Sequence, residues 1–128
     1  MNRVFYNKLI RDKIPQKILN NKGKYKTRVI SDDQEFEQEL LKKVLEEASA
    51  VSRARTGGDL VEELADLVAV IQALQKHEKI TDKELKEAVS RNFAKKGGFS
   101  KRLFLHWSSD TGYKSNESPQ GTRIKKRG

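Results

Sequence analysis

Two amphipathic segments that meet at Gly57-Gly58 constrain this chain more than any other feature in it. On the first, Phe36, Leu40, Val44, Ala48 and Val51 recur at spacings of four and three, one face of a helix, and Leu41 and Leu45 widen it. On the second, Leu60, Leu64, Leu67, Ile71 and Leu74 form a stripe flanked by Ala65, Val68 and Ala69. Paired glycines between such segments break the helical run, so the chain is expected to fold back on itself. A helix that is apolar on more than one side packs against more than one neighbour, which marks the second segment as the most buried. The predicted fold class is all-α: an antiparallel helical hairpin plus a third helix, forming a helical bundle on oligomerisation, with short extended segments at the ends.

Local signals place the boundaries. Ser31 with Gln34, Asp59 with Glu62 and Thr81 with Glu84 each have the spacing of a capping box, and the first long helix is expected to end near Thr56. Upstream, Asp12 suits an N-cap and Pro15 a first turn, giving a short helix to about Asn20 that stops at Asn21-Lys22-Gly23. Tyr25 to Ile30 is rich in β-branched and aromatic residues and reads as extended. A helix through Leu85, Ala88, Val89 and Phe93 ends at Gly97-Gly98, and FSKRLFLHW after it reads as extended and partly buried. Trp107 would cap the fold or meet another subunit. One domain is expected over residues 1–107, and the polar, aperiodic residues 108–128 read as a basic, disordered tail.

Composition narrows the class. A hydrophobic content of 35% over 128 residues is low for a globular chain. It fits helices with long charged faces, and a protomer that completes its core against a copy of itself. The formal charge of +9 is uneven, with Lys114, Arg123, Lys125, Lys126 and Arg127 between Thr111 and Gly128 against Glu117 alone, and most of the acids in the middle. The absence of cysteine excludes disulfides, thiolate metal sites and cysteine nucleophiles. The N-terminus lacks the apolar run of a signal peptide, and no stretch approaches the roughly 20 apolar residues of a membrane helix. A soluble, cytoplasmic protein without a membrane partner is expected.

The acids carry the chemistry. Glu46 and Glu47 lie on the first segment; Glu62, Glu63 and Asp66 lie on the second. Glu63 and Asp66 are three apart and so project from nearly one helical face. Folding at the glycines would bring acids from both segments across one seam, and oxygen ligands of that kind suit a hard cation such as Mg²⁺, with Mn²⁺ also suited. Asp66 sits within LADLVAVI, where a charge is costly unless bound or paired. The acids also fit plain solvated helix faces, with Lys42 and Lys43 pairing to their neighbours. His77 and His106 are too few and too separated to suggest a zinc site.

YNKLIRDKIP, then LEEA followed by EELADL, then KKGGFSKRLFL, occur in that order from Tyr6 to Leu105. In these stretches the chain resembles the MazG-like all-α nucleoside triphosphate pyrophosphohydrolases, a superfamily that includes the phosphoribosyl-ATP pyrophosphohydrolases. It is similar in particular to the branch predicted to remove non-standard nucleotides. The resemblance implies Mg²⁺-dependent hydrolysis of a nucleoside triphosphate to monophosphate and pyrophosphate, by a homodimer or homotetramer. The family's metal motif is EExxE followed by ExxD. Glu46 and Glu47 match its first two positions and Glu63 and Asp66 its last pair, whereas Ala50 stands where the family has its third glutamate. By this resemblance Glu47, Glu63 and Asp66 are metal ligands, and Glu46 and Glu47 act on the attacking water. Ser49, Glu62 or a water are the candidates to fill the place of the missing acid. Lys8, Arg11 and Lys13 from the first motif, with Lys95, Lys96 and Arg102 from the last, are candidates for holding the triphosphate. Two alternatives stand beside this one: a catalytically degenerate member, with Ala50 as the lesion, that binds nucleotide or a partner; and a basic helical module that binds nucleic acid through the tail.

Overall fold

The structure, a computed structural model, describes residues 2–110, and most of the basic tail lies outside them. Among these residues the chain is helical without a strand: α1 (Ile14–Asn20), α2 (Asp33–Ser52), α3 (Gly57–His77) and α4 (Asp82–Lys96). None of these helices is long and apolar enough to cross a membrane.

The hairpin is α2 packed on α3. Phe36 near the start of α2 meets His77 at the end of α3 edge-to-face, with ring centroids 5.2 Å apart. Glu47 near the end of α2 gathers with Glu63 and Asp66 near the start of α3. The two helices therefore run antiparallel, and the acids sit towards the closed end.

Helix boundaries depart from the expected caps in consistent ways. The α2 cap is Asp32, whose carboxylate accepts the Glu35 amide at 3.1 Å, one position beyond Ser31. That helix stops at Ser52, short of Thr56. Thr56 itself caps α3, its hydroxyl accepting the Asp59 amide at 3.1 Å. Gly57 and Gly58 thus form the first turn of α3; the chain reverses just before them. Asp12 caps nothing, and Lys13 stands at the α1 N-cap without a side-chain bond. Thr81 does cap α4, accepting the Glu84 amide and donating to its carboxylate. Gly97 ends α4 at φ 79° and ψ −177°, a backbone region open essentially to glycine alone.

The core is thin. Leu40 and Val70, which are 3% and 7% exposed, are the buried apolar residues among those described. The expectation that α3 would be the most buried helix fails within one chain. Glu63, Asp66, Leu67, Val70 and Leu74 are among the α3 residues at least half covered, while Leu60, Leu64, Val68 and Ile71 of the predicted stripe and its flank are exposed. Successive residues turn roughly 100° round a helix, so aiming Glu63 and Asp66 at α2 rotates much of the apolar stripe outward. The segment after α4 is also uncovered: Phe99, Leu103, Phe104 and Leu105 are exposed, and Trp107, at 81% exposure, is not packed on the described helices.

Candidate metal centre

Each member of the acidic group arrives there by local rules. Glu47 lies four residues past Lys43, seven past Leu40 and one turn before Val51, on the α2 face turned towards α3. Glu63 and Asp66 are one turn apart on α3 and precede Val70 on the same face. One carboxylate oxygen from each of Glu47, Glu63 and Asp66 lies within 4.8 Å of the other two. All three residues are half-buried. Three convergent carboxylate oxygens are a donor set that could hold a hard divalent cation.

Electrostatics mark the same place. Partial burial, reinforced by the charges of Asp66, Glu46 and Glu63, pushes the Glu47 carboxyl above its ordinary value, with Lys43 partly offsetting this. Glu46 goes the other way. Lys8 Nζ donates to its Oε1 at 2.5 Å and Lys43 Nζ to its Oε2 at 3.3 Å, and these bonds hold its carboxyl below the ordinary value. The Lys8 ammonium is raised in return, chiefly by its bond to Glu46. The Glu46 side chain is 40% exposed, so the pair contributes modestly, about 0–1 kcal/mol. Glu46 therefore stands beside the group as an acid already neutralised by lysine. Asp66 is less enclosed than its sequence context suggested: its side chain is 47% exposed and Arg11 Nη1 lies 3.6 Å from Oδ1.

Of the six basic candidates, the structure brings two to the acids. Lys8 and Arg11 each engage one, on Glu46 and Asp66. Lys13 is exposed at the start of α1, Lys95 and Lys96 are exposed in the last turn of α4, and Arg102 is exposed at φ 54° beyond it. None of these four has an ion pair with the acids among the described residues. The helix-surface pairing expected for Lys42 and Lys43 is present, to Glu39 at 3.1 Å and to Glu46 at 3.3 Å.

Ala50 opens onto solvent space. It lines an open depression of about 300 Å³ with Arg53, Ala54, Arg55, Asp59 and Glu63. Neither side-chain candidate for replacing the missing acid is placed to do so: Glu62 is exposed, and Ser49 Oγ accepts a bond from the Arg53 guanidinium. Arg53, Arg55 and Asp59 were not foreseen at this site. They fall in the turn and first helical residues, where hydrophobic periodicity carries no information about direction.

At the open end of the hairpin, Glu37, His77 and Glu78 also gather within 4.8 Å. Sequence separation hid this group, because His77 and Glu37 meet only through the antiparallel packing. His106 is not part of it; its ring lies edge-on to Phe104 at 5.0 Å.

Comparison of the chain with protein-family models, with curated proteins and with solved structures yields no match.

Proposed function

We propose that this chain is a Mg²⁺-dependent nucleoside triphosphate pyrophosphohydrolase of the MazG-like superfamily, releasing a nucleoside monophosphate and pyrophosphate and acting on non-standard nucleotides. The observation that carries this is the convergence of Glu47 from α2 with Glu63 and Asp66 from α3. Three carboxylates drawn together, with the Glu47 proton affinity raised, leave negative charge that a divalent cation would satisfy. The three ordered motifs supply the reaction class.

Glu47, Glu63 and Asp66 would hold the cation. When bound, Mg²⁺ supplies charge neutralisation at the phosphoryl oxygens during cleavage between the α- and β-phosphates. The two catalytic carboxylates separate by environment. Glu46, held ionised by Lys8 and Lys43, is a weak proton acceptor and serves to orient water and shape the field. Glu47, whose proton affinity is raised in the metal-free site, would be held ionised by the cation and would position the attacking water from the metal side.

The exposed apolar faces support self-association as a homodimer or homotetramer. Leu45 at 74% exposure on α2 and Val61 at 63% on α3 are unusual for helices that end as isolated surfaces.

One observation favours a second reading. Ala50 faces an open depression and, among the described residues, no fourth acid joins the Glu47, Glu63 and Asp66 group, as in a site that binds nucleotide without turning it over. Pyrophosphate release with Mg²⁺ over a panel of standard and modified nucleoside triphosphates separates the two. The hydrolase predicts release by the natural chain and its loss, by more than about a hundredfold, in Asp66→Asn. Silence in the natural chain with release appearing only in Ala50→Glu would establish the binding-only reading instead. Titrations of metal are best run beside His77→Ala, which removes the imidazole at the opposite end of the hairpin.

A further inference from the structure

A pyrophosphohydrolase must hold a phosphate chain beside its acids, and the basic residues nearest those acids in this chain are already engaged. Lys8 is bonded to Glu46 and Arg11 is paired with Asp66. The arginines that border the acidic group with an open space before them are Arg53 and Arg55, in the turn between α2 and α3. Both are exposed; Arg53 donates to Ser49 Oγ, and Arg55 has no ion pair among the described residues.

The depression they line, about 300 Å³, is at the lower end of the roughly 300–1,000 Å³ typical of small-molecule sites and accommodates a pyrophosphate. Its wall includes the methyl group of Ala50, where a longer acidic side chain would both fill the space and repel an anion. Guanidinium groups suit phosphate because their planar fork can donate two parallel hydrogen bonds to its oxygens. Asp59 and Glu63 offset the two arginine charges on the same wall. Glu63 belongs at once to this wall and to the acidic triad. Neutralising Glu63 with a cation leaves the arginines in excess, so anion binding here is coupled to the metal.

We propose that the depression beside Ala50 is a metal-dependent subsite for the pyrophosphate portion of a polyphosphate ligand, anchored by Arg53 and Arg55. This rests on the triad being a divalent-cation site, and it gives the alanine a positive role: it makes room for phosphate. Coupling between two sites is reciprocal, so Mg²⁺ and pyrophosphate raise each other's affinity by the same factor.

The test is calorimetric titration of inorganic pyrophosphate into the full chain, with and without saturating Mg²⁺, for wild type, Arg53→Gln, Arg55→Gln, Ala50→Glu and the distant control Lys86→Gln. Circular dichroism verifies that each variant keeps its helical content, which is expected of exposed positions. Binding should need Mg²⁺ and weaken about tenfold or more in each arginine variant, the scale of losing a charge-assisted hydrogen bond. Ala50→Glu should also weaken it, while Lys86→Gln stays within about twofold of wild type, as an exposed charge remote from the site should. Wild-type affinity in both arginine variants, no binding with Mg²⁺ present, or an equal loss in Lys86→Gln would each overturn the subsite. The hydrolase is judged separately. Nucleotide cleavage by wild type, with pyrophosphate binding unaltered in the arginine variants, would keep the enzyme and overturn the subsite. A chain that cleaves nothing yet loses pyrophosphate binding in those variants would keep the subsite and overturn the enzyme.

Discussion

Arg28 grips Glu35 through both guanidinium nitrogens, at 3.0 and 2.5 Å, and so ties the segment before α2 to that helix's first turn. The bond from Arg28 lowers the Glu35 carboxyl below its ordinary 4.5. A lowered acid contributes stability that is present above 4.5 and is lost as pH falls through the folded-state value. Arg28→Met should therefore destabilise the chain at neutral pH, with the difference from wild type shrinking to nothing in acid. Urea melts from neutral to strongly acidic pH check this; a gap that persisted unchanged in acid would mean that Arg28 acts by packing alone. Charge at single residues is thus spent in two ways here. Arg28, Lys8 and Lys43 hold acids in place, whereas the Glu47, Glu63 and Asp66 group accumulates negative charge with, among the described residues, only Arg11 paired to it directly.

At the scale of helices, the turn between α2 and α3 gives two opposite expectations. Thr56→Ala removes the hydroxyl that accepts the Asp59 amide and should cost about 1 kcal/mol. Gly57→Ala should raise stability by about 0.4–1 kcal/mol, because that glycine is helical and a Cβ there meets nothing within 4 Å. Thermal melts of the two variants would refute this account if they moved in the same direction. The same turn shows what the sequence made legible. The hairpin followed from apolar spacing along α2 and α3, and Glu63 with Asp66 from a separation of three residues, so their meeting with Glu47 required only that the helices be antiparallel. Cap identity was less legible: Thr56 and Asp59 are both good N-caps, and only the backbone decides which is extended at the helix start. The basic residues were the least legible. Whether Lys95, Lys96 and Arg102 reach the acids depends on where α4 lies relative to the hairpin, and no periodicity in α4 encodes that.

Across the whole molecule, the mismatch between apolar surface and core sets the main expectation. Leu64, Val68 and Ile71 form a run along α3 that is 37–48% exposed, and Leu45 on α2 is more exposed still. If copies of the chain cover this face, Val68→Lys should drive the assembly towards monomer and lower its thermal midpoint. Light scattering gives the mass, and a variant with wild-type mass would exclude this face from the contact. The sequence anticipated an unfinished core through its low hydrophobic content, yet overstated the burial of α3, because α3 divides its apolar residues between a partner helix and the outside. An interior that amounts, among the described residues, to Leu40 and Val70 has little to hold it together at infinite dilution. If a second copy completes that interior, folding and assembly become a single second-order event and stability acquires a concentration scale: each tenfold dilution of a two-state dimer removes about 1.4 kcal/mol.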